Sequence, residues 1–293
     1  MYKRQTYHYP RATTPALAGL SLDVPAGQFC AVIGANGAGK STRGYPLAGF
    51  VPHFYRGKLT GRVEVAGIDV PAASLAALAG QVGLVFANPF NQITGARFTV
   101  REEIAFGLEN MGVPLAEMGP RIDEVLRFAK LTDLAERSPF ALSGGQQQRL
   151  ALASVLVMRP PVIVLDEPTS QLDPIGSREV FAVLRDLAAT DEATVVLAEQ
   201  KLEWVAVFAD RVVVLHEGRI VADGAPGDVL ASAELAQYGL QPTRYTQAAR
   251  AAVSYTHLRA HETVLDLVCR LLLEKKKKQL ISQDQACNYS MTS

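Results

Sequence analysis

The sequence predicts an α/β fold with a mostly parallel sheet, a small antiparallel β subdomain and a helical subdomain. The first observation is a set of short, β-branched apolar runs at residues 29–33, 82–86, 162–165, 194–198 and 211–215. Several of them are continuous rather than alternating, as in strands buried on both faces of a parallel sheet. The second observation is that helical patterns lie between these runs, and such an alternation is typical of an α/β fold.

The other elements follow from local pattern. Between residues 7 and 69, glycines divide short strand-like pieces such as 61–67, which favours a small antiparallel sheet beside the main one. The region 99–158 is mostly helical, and residues 121–131 place apolar side chains on one stripe. Residues 177–188 have the same helical period.

Composition limits the function classes. The 293 residues include 29 basic and 29 acidic side chains, so net charge gives no support for a nucleic-acid partner. The three cysteines have no paired spacing, which argues against a disulfide framework or zinc site and favours a reducing, cytosolic setting. The sequence has no apolar run of the ~20 residues that span a membrane and no secretory signal. We therefore expect any link to a membrane to depend on a partner.

Both ends differ from the rest of the chain. Residues 1–5 and 253–293 resemble translated sequencing-adapter read-through, the second running into a lysine tract. Because one origin accounts for both ends, we interpret them as non-native and take 6–252 as the natural domain, which we expect to be truncated. The alternative is an amphipathic helix at 264–273 whose basic end contacts anionic lipid.

A glycine-rich motif follows the first apolar run. GANGAGKS, residues 34–41, fits G-x-x-x-x-G-K-[ST] directly after a predicted strand, which is the context of a phosphate-binding loop. Main-chain N–H groups and the following helix N-terminus would surround the phosphates. Lys40 would reach the β- and γ-phosphates and Ser41 a Mg²⁺ ion. A structural glycine turn is the alternative, but lysine and serine in register favour nucleotide binding.

Two acidic residues, Asp166 and Glu167, directly follow the apolar run at 162–165. Such a strand delivers carboxylates to the edge of the sheet where ligands bind. We expect Asp166 to hold Mg²⁺ through water and Glu167 to orient and polarise the attacking water. Alone, an Asp-Glu pair is more often a solvated loop feature; together with the phosphate loop it predicts a hydrolytic site.

A second possible anion-binding helix end is LSGGQQQRL, residues 142–150. One chain has no evident use for two such ends, whereas two chains do. With these motifs, residues 6–252 resemble the ATP-binding-cassette (ABC) family. The resemblance implies a P-loop NTPase (ABC ATPase) core that binds ATP and Mg²⁺ between two cassettes packed head to tail. The partner cassette would be identical or different.

The resemblance also implies which residues contact nucleotide. In the phosphate loop they are Gly34, Asn36, Gly37, Ala38, Gly39, Lys40, Ser41 and Thr42. Across the interface they are Ser143, Gly144, Gly145 and Gln146 of the signature motif and Asp173 of SQLDP. Tyr9 would stack on adenine, or else is a strand residue that packs in the small β region.

Three further segments resemble the ATPase subunits of energy-coupling-factor (ECF) importers. They are VPHFYRGKLTG, FTVREEIAFGLENMGVP and EQKLEWVA, although part of the second could be surface sequence between helices. This resemblance implies a peripheral subunit on the cytoplasmic face of the cell membrane. Its partners would be a membrane coupling protein, moved through a groove at 87–99, and a substrate-binding membrane protein for vitamins or metal ions.

The family pattern is broken at three places. After GKST the family has leucines, whereas Arg43, Gly44, Tyr45 and Pro46 stand here. In a helix interior glycine costs about 1 and proline about 3 kcal/mol relative to alanine, so these residues predict a weakened helix, by nature or by sequencing error.

Ala87 replaces a glutamine that contacts Mg²⁺, and Gln92 is a possible substitute. Gln200 replaces a histidine that holds the γ-phosphate; it can donate a hydrogen bond but cannot carry a proton, so we expect slower hydrolysis. Two alternatives to an importer ATPase therefore stay open. One is a catalytically weak or non-hydrolysing cassette, and the other is a soluble ABC protein outside transport.

Overall fold

Ten strands and nine helices occur in the computed structural model, which describes residues 2–190, 193–244 and 246–247. The strands are β1 (Tyr2–His8), β2 (Leu17–Leu22), β3 (Phe29–Ile33), β4 (Lys58–Val65), β5 (Ile68–Asp69), β6 (Val82–Val85), β7 (Val162–Asp166), β8 (Thr194–Ala198), β9 (Arg211–His216) and β10 (Arg219–Gly224). The helices are α1 (Lys40–Leu47), α2 (Phe50–His53), α3 (Leu75–Ala79), α4 (Val100–Asn110), α5 (Leu115–Phe128), α6 (Gly144–Leu156), α7 (Pro174–Ala189), α8 (Leu202–Phe208) and α9 (Pro226–Ala231).

The main sheet has the strand order β10-β9-β3-β8-β7-β6. All neighbouring pairs are parallel except β9 and β10. Every residue of β3, β6 and β8 is buried, because helices or the small sheet cover both faces. Since parallel strands end at a common edge, the segments after β3, β7 and β8 meet there.

The small sheet is antiparallel, as the sequence predicts, and its strand order is β2-β1-β4-β5. Residues 2–5, which we interpret as non-native, form the start of β1 and pair with β2 and β4. Gln5 is fully buried, and its amide nitrogen and oxygen have no hydrogen-bond partner among the described residues. Residues 248–252 and the tail 253–293 lie outside the described residues.

Two apolar clusters lie on opposite sides of the main sheet. One joins α4, α5, α6, α7 and α8 to the sheet, and the other joins α1 and the small sheet to it. α4, α5 and α6 occupy most of the region predicted to be helical. None of the helices in the described part of the chain is long and apolar enough to cross a bilayer.

Helix α1 forms despite the break in its sequence pattern. It runs to Leu47 with Pro46 inside it, and Gly44 packs so closely on β7 that an added Cβ would lie 3.0 Å from Val164 Cγ1. The side chain of Arg43 lies outside the described residues. Packing on the sheet thus outweighs the low helix propensity of this segment.

Candidate functional site

The phosphate loop spans the gap between β3 and α1. Gly37 and Gly39 have φ values of 81° and 101°, a left-handed conformation that favours glycine. Gly34 has no room for a side chain, because a Cβ there would lie 2.5 Å from the carbonyl oxygen of Leu215. Lys40 is buried, and its Nζ donates to the carbonyl oxygens of Gly34 at 2.8 Å and Ala35 at 3.2 Å. The loop therefore has an ammonium group at its centre.

Asp166 ends β7 beside this loop. It is only 7% exposed, and its Oδ1 has no hydrogen-bond partner among the described residues. Burial raises the pKa of Asp166 above its ordinary value, and the carboxylates of Glu167 and Glu199 raise it further. A hydrogen bond with Ser41 and the charge of Lys40 act in the opposite direction, but the net direction is upward.

This environment fits a divalent cation. A buried carboxylate oxygen without a partner, next to a serine hydroxyl, matches the preference of Mg²⁺ for one or two protein oxygens completed by phosphate and water. No group of three or more His, Cys, Asp or Glu in the described ranges could hold a metal without such help. The protein's donor set therefore suits a cation that arrives with a phosphate ligand.

Glu167 and Gln200 come together across the ends of β7 and β8. Gln200 Nε2 donates to Glu167 Oε1 at 2.5 Å and to Asn36 Oδ1 of the phosphate loop at 3.0 Å. Glu167 has φ 46°, an uncommon value for a residue with a side chain and one that stores strain at functional sites. The structure thus brings the two predicted catalytic residues into direct contact beside the loop.

Sequence reasoning missed three polar residues next to this pair. Glu199 is 2% exposed and accepts from the Thr169 hydroxyl at 2.8 Å, while Lys201 Nζ donates to the main-chain oxygens of Thr169 at 2.6 Å and Leu172 at 3.4 Å. The signal was present, since Glu199 directly follows the fully buried strand TVVLA and Lys201 lies two residues further on. Their partners, however, lie about thirty positions earlier in the chain.

Tyr9 follows β1 and lies beside α1. Its hydroxyl forms a 3.0 Å hydrogen bond with Thr42 Oγ1, and its ring meets the edge of Tyr7 with centroids 4.9 Å apart. These contacts place Tyr9 next to the phosphate loop. They agree with packing in the small β region, and stacking on adenine stays a prediction.

The signature motif opens α6 at the surface. Ser143 and Gln146 form a reciprocal capping box, in which Ser143 N donates to Gln146 Oε1 at 2.9 Å and Gln146 N to Ser143 Oγ at 3.4 Å. Ser143 and Gly144 are exposed. Asp173 caps α7, its Oδ1 accepting from Gly176 N at 2.6 Å. These hydrogen bonds are internal to the two helix ends, and the predicted contacts with a second cassette remain predictions.

The segment 86–99 runs from the end of β6 to α4. Gln92 accepts from Phe86 N at 3.3 Å and donates to Ala151 O at 2.8 Å. Its amide is thus engaged in anchoring the loop to α6, which argues against the idea that it substitutes for the glutamine missing at Ala87. Glu103, buried in α4, accepts from both Thr94 N and Thr94 Oγ1 and anchors the loop a second time.

Comparison with known proteins agrees with this geometry. A family model described as ABC transporter matches residues 17–170. A curated relative, the energy-coupling factor transporter ATP-binding protein EcfA1 of Symbiobacterium thermophilum, is 47% identical over 221 residues, which cover 75% of this chain and 74% of the relative.

Two solved structures are similar over most of their length. One is cbiO1 from Clostridium perfringens, part of the ABC transporter complex cbiONQ, with a TM-score of 0.69 and 31% identity over 80% of this chain and 92% of that one. The other is a dimeric post-hydrolysis state of the ATP-binding cassette MJ0796 bound to ADP and Pi, with a TM-score of 0.69 and 26% identity over 77% and 97%. They confirm the predicted fold class and the prediction of an ATPase. The chain belongs to the ABC transporter family, as an ATP-binding subunit that hydrolyses ATP.

Proposed function

We propose that this subunit powers a membrane importer of a small solute, a vitamin or a metal ion, in an ECF-type assembly. Two cassettes close around two ATP molecules, and their closure and reopening move a membrane coupling protein. The cassette lies on the cytoplasmic face of the membrane and is held there by its partners. The description of cbiO1 as part of an ABC transporter complex supports the transporter class, and the name of EcfA1 supports the ECF type.

One observation carries the catalytic part of the proposal: Gln200 bridges the phosphate loop and Glu167. In this proposal the main-chain amides of the loop and Lys40 hold the triphosphate, with Lys40 exchanging its carbonyl partners for phosphate oxygens. Ser41 and Asp166 hold Mg²⁺, which when bound neutralises charge that develops on the phosphates.

Glu167 orients the attacking water and accepts its proton as the water oxygen bonds to the γ-phosphorus and the bond to the ADP oxygen breaks. The amide of Gln200 stays neutral, so it positions Glu167 and contacts phosphate without taking a proton. In the closed dimer Ser143, Gly144, Gly145 and Gln146 of one chain cover the γ-phosphate held by the other. Asp173 lies at the same interface, and Tyr9 stacks on adenine.

The membrane coupling protein binds at segment 86–99. Three aromatic side chains on or beside it are largely exposed: Phe90 is 59%, Phe98 85% and Phe140 56% accessible. A Cβ on Gly95 would lie 3.2 Å from the Phe140 ring, so loop and ring form one surface. The two anchors of the loop, Gln92 and Glu103, connect this surface to α6 and α4.

Co-expression with the neighbouring membrane genes tests the transport part. Wild type should sediment with membranes, whereas Phe98→Asp should stay in the supernatant and keep its ATPase activity, because its side chain is far out in solvent. Leu115→Asp, at an 84% exposed position on α5, is the matched control and should sediment like wild type. Equal sedimentation of all three would contradict the proposed docking surface, and no sedimentation of wild type would contradict the importer proposal.

A further inference from the structure

The segment that follows β8 is fastened to a turn that follows β7. Glu199 Oε1 accepts from the main-chain N–H groups of Gln200 at 2.8 Å and Lys201 at 3.2 Å, while Oε2 accepts from the Thr169 hydroxyl at 2.8 Å. Glu199 and Thr169 are 2% and 0% exposed. One buried carboxylate thus fixes the main chain of Gln200 and joins it to residue 169.

Lys201 makes a second connection to the same turn. Its Nζ donates to Thr169 O at 2.6 Å, to Leu172 O at 3.4 Å and to Ser177 Oγ at 3.0 Å. Three acceptors match the three donors of an ammonium group, so the lysine is fully used in this position. It binds both ends of the turn 169–172 and the first part of α7.

The turn 169–172 contacts both Glu167 and the N-terminus of α6. On one side it begins two residues after Glu167, whose carbonyl accepts from Ser170 N at 3.1 Å. On the other side it contacts the N-terminus of α6, since a Cβ on Gly145 would lie 3.2 Å from Gln171 O and one on Gly144 3.3 Å from Gln171 Oε1. A shift of this turn therefore affects both Glu167 and the signature helix α6, which the signature motif opens.

We propose that Glu199 and Lys201 are positioning residues for ATP hydrolysis. They fix the main chain of Gln200 to the turn 169–172, so that the Gln200 side-chain amide remains hydrogen-bonded to Glu167 and Asn36 and moves only with that turn. In each chain this connects the phosphate loop to the chain's own signature helix. The inference rests on the proposed roles of Glu167 and Gln200, and it adds the two groups that hold Gln200 in place.

Nucleotide affinity should depend little on the hydrogen bonds of Glu199 and Lys201. The loop amides and Lys40 grip the phosphates from the end of β3, and none of them bonds to Glu199 or Lys201 in the hydrogen bonds of the described residues. Release of Gln200 misplaces a side chain at the reacting centre, and a misplacement of about 1 Å can lower a rate on the order of a hundredfold. Loss of the Glu199 or Lys201 hydrogen bonds should therefore change kcat more than KM.

Steady-state phosphate release by the purified full chain tests the inference. Lys201→Met should lower kcat by about tenfold or more, with KM and the equilibrium affinity for ATP close to those of wild type. Lys201→Arg should recover most of kcat, because a guanidinium keeps the charge and several donors. Lys58→Met, at an exposed position on β4, is the matched control and should behave as wild type.

Thr169 supplies an independent pair of variants for the case in which Lys201→Met unfolds, as judged by its thermal transition. Thr169→Val removes the hydroxyl that Glu199 accepts from, and Thr169→Ser keeps it, so kcat should fall in the first and persist in the second. The Glu167→Gln variant in the same assay separates two failures. If it loses hydrolysis while Lys201→Met and Thr169→Val keep the wild-type kcat, the positioning inference is overturned alone. If Glu167→Gln keeps the wild-type kcat, the proposed roles fall and the inference falls with them.

Discussion

Gln200→Ala tests the hydrogen-bonded contact that joins Glu167 to the phosphate loop. It removes two hydrogen bonds of one side-chain nitrogen, to Glu167 Oε1 at 2.5 Å and to Asn36 Oδ1 at 3.0 Å. Gln200 is exposed, so truncation opens no cavity in the core. The stability of the fold should therefore stay close to that of wild type.

The size of the effect follows from the charged partner. A hydrogen bond to a charged group contributes about 1.5–3 kcal/mol, and 1.36 kcal/mol corresponds to a factor of ten in rate. If the bond between Gln200 and Glu167 aligns the carboxylate in the transition state, kcat should fall roughly 10- to 100-fold. KM should change less than about threefold, because the phosphate grip of Lys40 and the loop amides is untouched.

Phosphate release over a range of MgATP concentrations measures both constants. Gln200→His is the matched variant, since an imidazole N–H can replace the amide donor, and it should retain more activity than Gln200→Ala. Wild-type kcat in Gln200→Ala would refute the assignment of Gln200 to the reacting centre. A rise in KM with unchanged kcat would refute it as well, because it would indicate a role in binding alone.

Three further predictions concern the metal, the loop and a helix. Burial raises the pKa of Asp166, so protons compete with Mg²⁺ there at a higher pH than at an ordinary aspartate. Mg²⁺-dependent ATP binding, measured by calorimetry, should weaken as pH falls through that raised value and recover above it, whereas constant affinity down to about pH 4, the ordinary range of aspartate, would contradict this. In the ligand-free protein the raised pKa of Asp166 stabilises the fold at low pH. This contribution is fully present below the pKa of Asp166 in the unfolded chain and is lost as pH rises through its pKa in the folded protein. Gly34→Ala should reduce ATP affinity and lower Tm, because its Cβ would lie 2.5 Å from Leu215 O. Gly119→Ala, with open space around it in α5, should instead raise Tm. Equal changes of Tm in the two variants would disprove the steric argument. Pro120→Ala, at an exposed position inside α5, should stabilise the protein by about 2 kcal/mol, the helix-propensity gain of about 3 less the lost restriction of the unfolded chain, and a lower Tm would contradict it.

The strands of the main sheet were predictable from sequence because burial on both faces demands continuous apolar runs. The predicted runs at 29–33 and 194–198 coincide with β3 and β8, and the others differ from their strands by one residue at the C-terminal end. The proximity of Glu167 and Gln200 was predictable for the same reason, since Glu167 directly follows β7 and Gln200 lies two residues after β8, its parallel neighbour.

Contacts that depend on side-chain direction were not predictable. Glu199 and Lys201 flank Gln200 in sequence, but which of the three side chains faces the phosphate loop follows from the turn after β8. Helix α1 runs through Pro46 because packing on the sheet outweighs the low helix propensity of this segment, and the weakening that propensity predicts stays a prediction. Local pattern located the elements, and tertiary contacts decided how their ends are used.

Hydrolysis by Glu167→Gln tests the central claim most directly. In the proposed mechanism the loop after β3 binds the triphosphate while the carboxylate of Glu167, after β7, takes the proton of the attacking water. The variant should bind MgATP as tightly as wild type and release phosphate at least about a hundredfold more slowly in a single turnover, the lower bound for general-base catalysis. Phosphate release at the wild-type rate would contradict the account.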